Sequence, residues 1–263
     1  MESFLRNLLV QVSTRPTDEY IQSMIASEQA EWEKPKSEHL KALALKANAQ
    51  ALEQFRSMSL KDAWMQFFSS DRTTKPSSPL SCVAAKLLED QFKTDKVIVE
   101  LGCGIGKDLS YLLGRGSKVT AVDMMPVASF VNGRFAEQIK TGELTLVQAK
   151  MEEFSFPKDV RLVFANDALP YCEPNKWISL LSKIYEALMP CGCFVGNFIE
   201  KPHPAIAAMQ RGLIKTSYVA CDQFASGYIV RKMLVDVGFK ILICKVNARE
   251  ANYIDFVAQK PGI

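Results

Sequence analysis

The sequence predicts an α/β fold: a doubly wound, mostly parallel sheet closed by an antiparallel last pair and preceded by a helical extension. Three observations predict it. After residue 95, apolar runs of four to seven residues alternate with helically spaced segments, as strands buried on both faces alternate with crossover helices. The two final β-rich runs, 239–246 and 253–259, are separated by NAREAN, and six residues are too few for a parallel crossover, so this pair is antiparallel. Residues 1–91 offer no strand and read as helices with breaks.

Taken in order, Thr17 and Asp18 cap a helix that runs toward Glu33 and stops near Pro35. A second helix over 37–58 spaces Leu40, Leu43, Ala47, Ala51 and Phe55 along one face. Ser59-Leu60-Lys61-Asp62 matches a capping box before a short helix bearing Trp64, Phe67 and Phe68. The loop SSDRTTKPSSP follows, and a helix over 80–92 leads into the first strand. Strands are expected over 97–101, 118–122, 143–148, 161–165 and 193–198, with helices over 107–113, 126–139 and 176–188 between them. A helix over 228–237 precedes the antiparallel pair. The chain thus divides into a helical extension, 1–91, serving as lid or cap, and a sheet-forming domain, 92–263.

Composition limits the function. With 263 residues, 48% of hydrophobic type, the chain can bury a sizeable core. Lys and Arg number 32 against 29 Asp and Glu, and a net charge of +3 is too weak to favour a nucleic-acid partner. No apolar run approaches the roughly 20 residues of a membrane span, and the first residues lack a signal-peptide core, so a cytoplasmic protein is expected. The seven cysteines are scattered without a CxxC. Cys191 and Cys193 form a CxC that a regular strand would place on one face, but His39 and His203 are the only histidines, so no metal site is expected and reduced thiols are.

The chemistry concentrates in VIVELGCGIGKDL, residues 97–109. In open α/β sheets the turn after the first strand delivers backbone amides to a ligand, and Gly102, Gly104 and Gly106 let that ligand approach the main chain. A dinucleotide fingerprint, GxGxxG, fails here because Lys107 stands at the third glycine position and Gly106 comes one residue early. Asp123 ends the second strand 23 residues after Glu100, as a carboxylate for ribose hydroxyls should.

These residues resemble the first motif of the class I S-adenosylmethionine (SAM) dependent methyltransferases, of the small-molecule type, and the resemblance extends over residues 79–260. It implies a Rossmann-like seven-stranded sheet with the last strand inserted antiparallel, SAM as cofactor and S-adenosylhomocysteine as product. It also implies that Glu100 lies near the methionine amino group, that Gly102, Gly104 and Gly106 face the methionine and sugar, and that Asp123 accepts from both ribose hydroxyls. Met124 would pack on the adenine. In the third motif Lys150 stands where the family places an aspartate, which leaves the Met151 amide as the expected adenine contact. In the fourth, Asn166 takes the place of a residue touching the methionine moiety.

Methyl transfer from a sulfonium needs positioning first and a base only for a protonated acceptor. Asp167, Tyr171 and His203 follow the fourth and fifth strands and are the base candidates, although each also fits as a turn cap, a wall residue or a loop residue. The Asn/Asp-Pro-Pro-aromatic motif of amino-methylating nucleic-acid enzymes is replaced by Asn166-Asp167-Ala168-Leu169, and the paired-glutamate loop of protein arginine methyltransferases is not seen. The sequence therefore points to a small-molecule acceptor, with the segment 64–68 folding over the cofactor. The alternatives are a non-catalytic SAM-binding regulatory protein, a protein methyltransferase whose N-terminal helices dock its substrate, and a nicotinamide-dependent oxidoreductase.

Overall fold

The computed structural model describes residues 80–90, 96–113, 117–200, 225–248 and 252–262. The helices expected within residues 1–79, the 64–68 lid segment and His203 lie outside the described residues.

Among the described residues the α-helices and strands follow one another as α1 (Leu80–Asp90), β1 (Lys96–Leu101), α2 (Leu109–Leu112), β2 (Ser117–Asp123), α3 (Ala128–Val131), α4 (Ala136–Lys140), β3 (Leu144–Gln148), β4 (Val160–Ala165), α5 (Trp177–Ala187), β5 (Leu188–Ile199), α6 (Gly227–Val237), β6 (Lys240–Ala248) and β7 (Asn252–Gln259). The strands form one seven-stranded sheet in the order β3-β2-β1-β4-β5-β7-β6. All pairings up to β5 are parallel, and β7 runs antiparallel to both β5 and β6. The expected fold class is the observed one, including the inserted antiparallel strand.

Alternation along the strands separates two cores. Ile98, Leu162, Phe164, Cys193 and Val195 pack under α1 and α2, whereas Val99, Leu101, Val163, Phe194 and Phe198 pack under α5 and α6. Both faces of the central strands are covered, which is why they read as unbroken apolar runs. The apolar side of α1 lies in the first of these cores, so this helix, grouped with the extension in sequence, is part of the sheet's own packing. Strand order reverses between β1 and β4, and such a reversal leaves a crevice at the strands' carboxyl ends.

Three elements depart from expectation. The single helix predicted over 126–139 is two short helices, broken at Asn132-Gly133-Arg134. The break sets Phe135 against the glycine loop, where a Cβ on Gly106 would lie 3.1 Å from its ring. The helix expected over 107–113 is a single turn, α2, preceded by turn structure. β5 starts five residues before its expected onset, at Leu188, with a register shift against β4 between Val160 and Leu162. Within that irregular start Cys191 takes φ 64°, which turns it to the surface while Cys193 is buried. The CxC pair therefore does not share a face, and burial pushes the Cys193 thiol up to about 12.

Candidate functional site

The glycine loop leaves β1 at the mouth of the β1–β4 crevice. Gly102 and Cys103 donate their N–H groups to Val122 O at 2.7 and 3.2 Å, tying the loop to β2. Gly102 has φ 72°, and a Cβ there would meet the Ala168 Cβ at 2.5 Å, so only glycine lets the loops after β1 and β4 touch. Gly104 and Gly106 also have positive φ.

Asp123 ends β2 with both oxygens engaged. The Gly104 N–H donates to Oδ2 and the Met125 N–H to Oδ1, each at 2.8 Å. Burial raises its pKa while these two amides act in the opposite direction. The carboxylate therefore shapes the loop and caps its own strand. Each oxygen keeps the capacity to accept a further hydrogen bond.

Glu100 stands in contrast on the neighbouring strand. It is 2% exposed, and among the described residues its Oε2 has no hydrogen-bond partner. Burial pushes its carboxyl well above the usual range, with the charges of Asp108 and Asp123 acting the same way. A buried carboxyl beside a glycine loop with an orphaned oxygen is an arrangement completed by a cationic group, and the ammonium of an amino-acid moiety is such a group.

On the β4 side, a chain of side chains, buried except for the half-buried Asp167, links α1 and the glycine loop to the ends of β4 and β5. Ser81 Oγ of α1 donates to Asp108 Oδ1 at 2.5 Å, and Asn166 Nδ2 donates to Asp108 Oδ2 at 3.0 Å. Asn197 Nδ2 of β5 donates to Asn166 Oδ1 at 3.1 Å and to Asp167 Oδ1 at 2.7 Å, while the Asp167 N–H donates to Asn197 Oδ1 at 2.7 Å. Asp167 has φ 54°, a left-handed conformation that costs a non-glycine residue about 1 kcal/mol or more and that Asn197 holds from both sides. Tyr171 closes a 3₁₀ turn, Leu169–Tyr171, in the same loop.

The remaining sequence-selected residues lie along the β2–β3 edge. Met124 is 39% exposed beside Asp123, and Met151 packs against the core on the α5 side. Lys150 turns outward, 3.7 Å from Glu153, while its carbonyl accepts from the N–H groups of Glu153 and Phe154. The structure thus brings Glu100, the three glycines, Asp123 and Asn166 to the strand ends facing the crevice. Sequence reasoning missed Ser81, Asp108 and Asn197. Asn197 carried a signal, a lone carboxamide inside the apolar run FVGNFI, and Asp108 stood within the glycine motif; Ser81 carried none. Among the described residues no three His, Cys, Asp or Glu side chains gather as a metal site, and no helix is long and apolar enough to cross a membrane.

Comparison with known proteins gives the same picture. Residues 98–192 match a family described as a methyltransferase domain. No curated protein matches the chain in sequence. Among solved structures, an exported protein of Bordetella parapertussis, so described with reservation, superposes with a TM-score of 0.58 at 14% identity, covering 89% of this chain and 92% of that one. The 1,6-didemethyltoxoflavin-N1-methyltransferase of Burkholderia thailandensis, solved with its acceptor and S-adenosylhomocysteine, gives 0.52 at 19% identity over 70% and 80%. A phosphoethanolamine N-methyltransferase of Haemonchus contortus, solved with phosphomonomethylethanolamine and S-adenosylhomocysteine, gives 0.61 at 15% over 78% and 60%. At such identities the likeness establishes the fold.

Proposed function

We propose that this chain, whose residues 98–192 match a methyltransferase domain and whose sheet has the order of such folds, is a class I SAM-dependent methyltransferase that methylates a small molecule held at the carboxyl ends of β4 and β5. The observation that carries the site assignment is the orphaned Oε2 of Glu100 next to the glycine loop. Bound SAM supplies the sulfonium methyl group. Glu100 receives the ammonium of its methionine end, the main chain at Gly102, Gly104 and Gly106 borders the methionine and ribose, and Asp123 accepts from the ribose hydroxyls with its spare lone pairs. Met124 and the Met151 amide border the adenine. Lys150 supplies no acceptor there, so adenine is held by the main chain and by apolar contact.

Asn166 meets the methionine moiety from the β4 side with its amide already oriented by two neighbours. Asp167, held rigidly by Asn197, orients the acceptor and takes its proton where one must leave. Tyr171 lines the same loop. Two structural neighbours crystallised with small acceptors support the acceptor class, as does the absence of the nucleic-acid and arginine-methylating motifs from the sequence.

Incubation of the full chain with cell extract and methyl-labelled SAM tests this reading. Label in the low-molecular-weight fraction is expected; label confined to protein would replace the acceptor class. Calorimetric binding of NAD in preference to SAM would overturn the cofactor-site assignment.

A further inference from the structure

Asp108 occupies the N-cap of α2, where an aspartate side chain ordinarily accepts from an amide of the first turn. Here it makes no capping hydrogen bond. Its two oxygens go instead to Ser81, 27 residues earlier, and to Asn166, 58 residues later. The residue is 5% exposed, so an anion has been buried for these contacts at the cost of a helix cap. Its partners lie on different sides of the glycine loop: Ser81 on α1, the described helix that follows residues 1–79, and Asn166 just beyond β4.

The Asn166 amide is oriented by this contact. Its Nδ2 faces the Asp108 carboxylate and its Oδ1 faces the Asn197 amide nitrogen. A flipped amide would set oxygen against carboxylate and N–H against N–H, so the orientation is locked from both ends. Asp108 also acts on Glu100. Among the described residues, the ionisable groups that face Glu100 are Asp108 from the loop before α2, Asp123 from the end of β2 and Cys103 from the glycine loop itself, while its pairing partner on β4, Phe164, is apolar.

We propose that Asp108 is a positioning residue for the methyl donor: by joining α1 to the end of β4 across the glycine loop, it aims Asn166 at the donor and places a second carboxylate on the side of the loop where the donor's ammonium binds. This rests on the assignment of the crevice to SAM. Donor capture is then coupled to protons. The Glu100 carboxyl releases its proton to solvent as the ammonium arrives, leaving a carboxylate–ammonium pair. Binding weakens as pH falls through the raised Glu100 value, and the negative charge of Asp108 keeps that fall at higher pH.

Calorimetric titration of the full chain with S-adenosylhomocysteine across pH tests the proposal. Asp108→Asn is expected to weaken binding about tenfold and to move the pH at which binding fails downward. Asp108→Glu keeps the charge and is expected to weaken binding while leaving the profile where it is. Ser81→Ala is expected to weaken binding a few-fold, also with an unmoved profile. If Asp108→Asn fails to fold, Ser81→Ala decides: retained affinity overturns the proposal and weakened affinity supports it. Uniform weakening by Asp108→Asn with an unmoved profile would reduce Asp108 to a scaffold role and overturn it. Wild-type protein that does not bind S-adenosylhomocysteine would remove the cofactor-site assignment and this proposal together, whereas normal wild-type binding with unaltered variants removes this proposal alone.

Discussion

The carboxyl ends of β1 and β2 and those of β4 and β5 face one crevice but are finished differently. The first pair ends in carboxylates, one spent on loop amides and one with an orphaned oxygen; the second ends in carboxamides bonded to each other and to the backbone. An orphaned buried carboxyl is costly and persists where something else completes it. A satisfied amide pair needs nothing further and holds its neighbours still. The difference suits the division of labour proposed above, with charge recognition assigned to the β1–β2 side and rigid placement to the β4–β5 side.

The largest expected effect tests the first side. Asp123→Ala strips the acceptors from two amides and should cost about 3 kcal/mol of stability in denaturant titration, with donor affinity falling beyond detection by calorimetry. Retained affinity would mean that the loop holds its shape without this carboxylate. Asn197→Ala tests the second side: it leaves the Asp167 N–H and Asn166 Oδ1 without this partner in a fully buried position and should cost about 2 kcal/mol, with turnover reduced more than donor affinity. Equal losses in kcat and donor affinity would erase the proposed division.

Glu100→Gln should act mainly through pH. A carboxyl whose folded pKa lies above its unfolded value binds the proton more tightly when folded. Its stabilisation is therefore present at low pH and is lost as pH rises from about 4.3 through the raised value. The glutamine variant should lose this decline in thermal melts recorded across pH, and its donor affinity should become weak and nearly independent of pH. The smallest effect belongs to Lys150→Asp, which restores an acid at an exposed position. Stability should change by less than about 0.5 kcal/mol, while donor affinity improves a few-fold. Unchanged affinity would place this side chain too far from the adenine to matter.

The division also explains what the sequence could reveal. Strands buried on both faces wrote themselves as apolar runs, and the brevity of the link before β7 disclosed its direction. Glu100 and the glycines lie within one continuous motif and Asp123 ends the very next strand, so the β1–β2 side was legible. On the β4–β5 side Asn166 and Asp167 were read but the network that holds them was not, because Ser81, Asp108 and Asn197 are distant from them in the chain and meet them only through the topology. The break between α3 and α4 was foreshadowed by Asn132-Gly133, which the apolar spacing outweighed. The early start of β5 was hidden because Pro190 and Gly192 read as a turn, whereas the strand accommodates them as an irregular ladder.

The placement of β7 between β5 and β6 has a consequence for how the molecule is made. Every other described strand has emerged from the ribosome before β7, yet β5 and β6 find their shared neighbour only in it. During synthesis the β5 edge, carrying Phe194 and Phe198, stays open until residues 252–259 are released. The nascent sheet is therefore most exposed to aggregation just before β7 is released, and a slow codon tract or a chaperone acting at that point would influence yield more than one acting on β1 to β4.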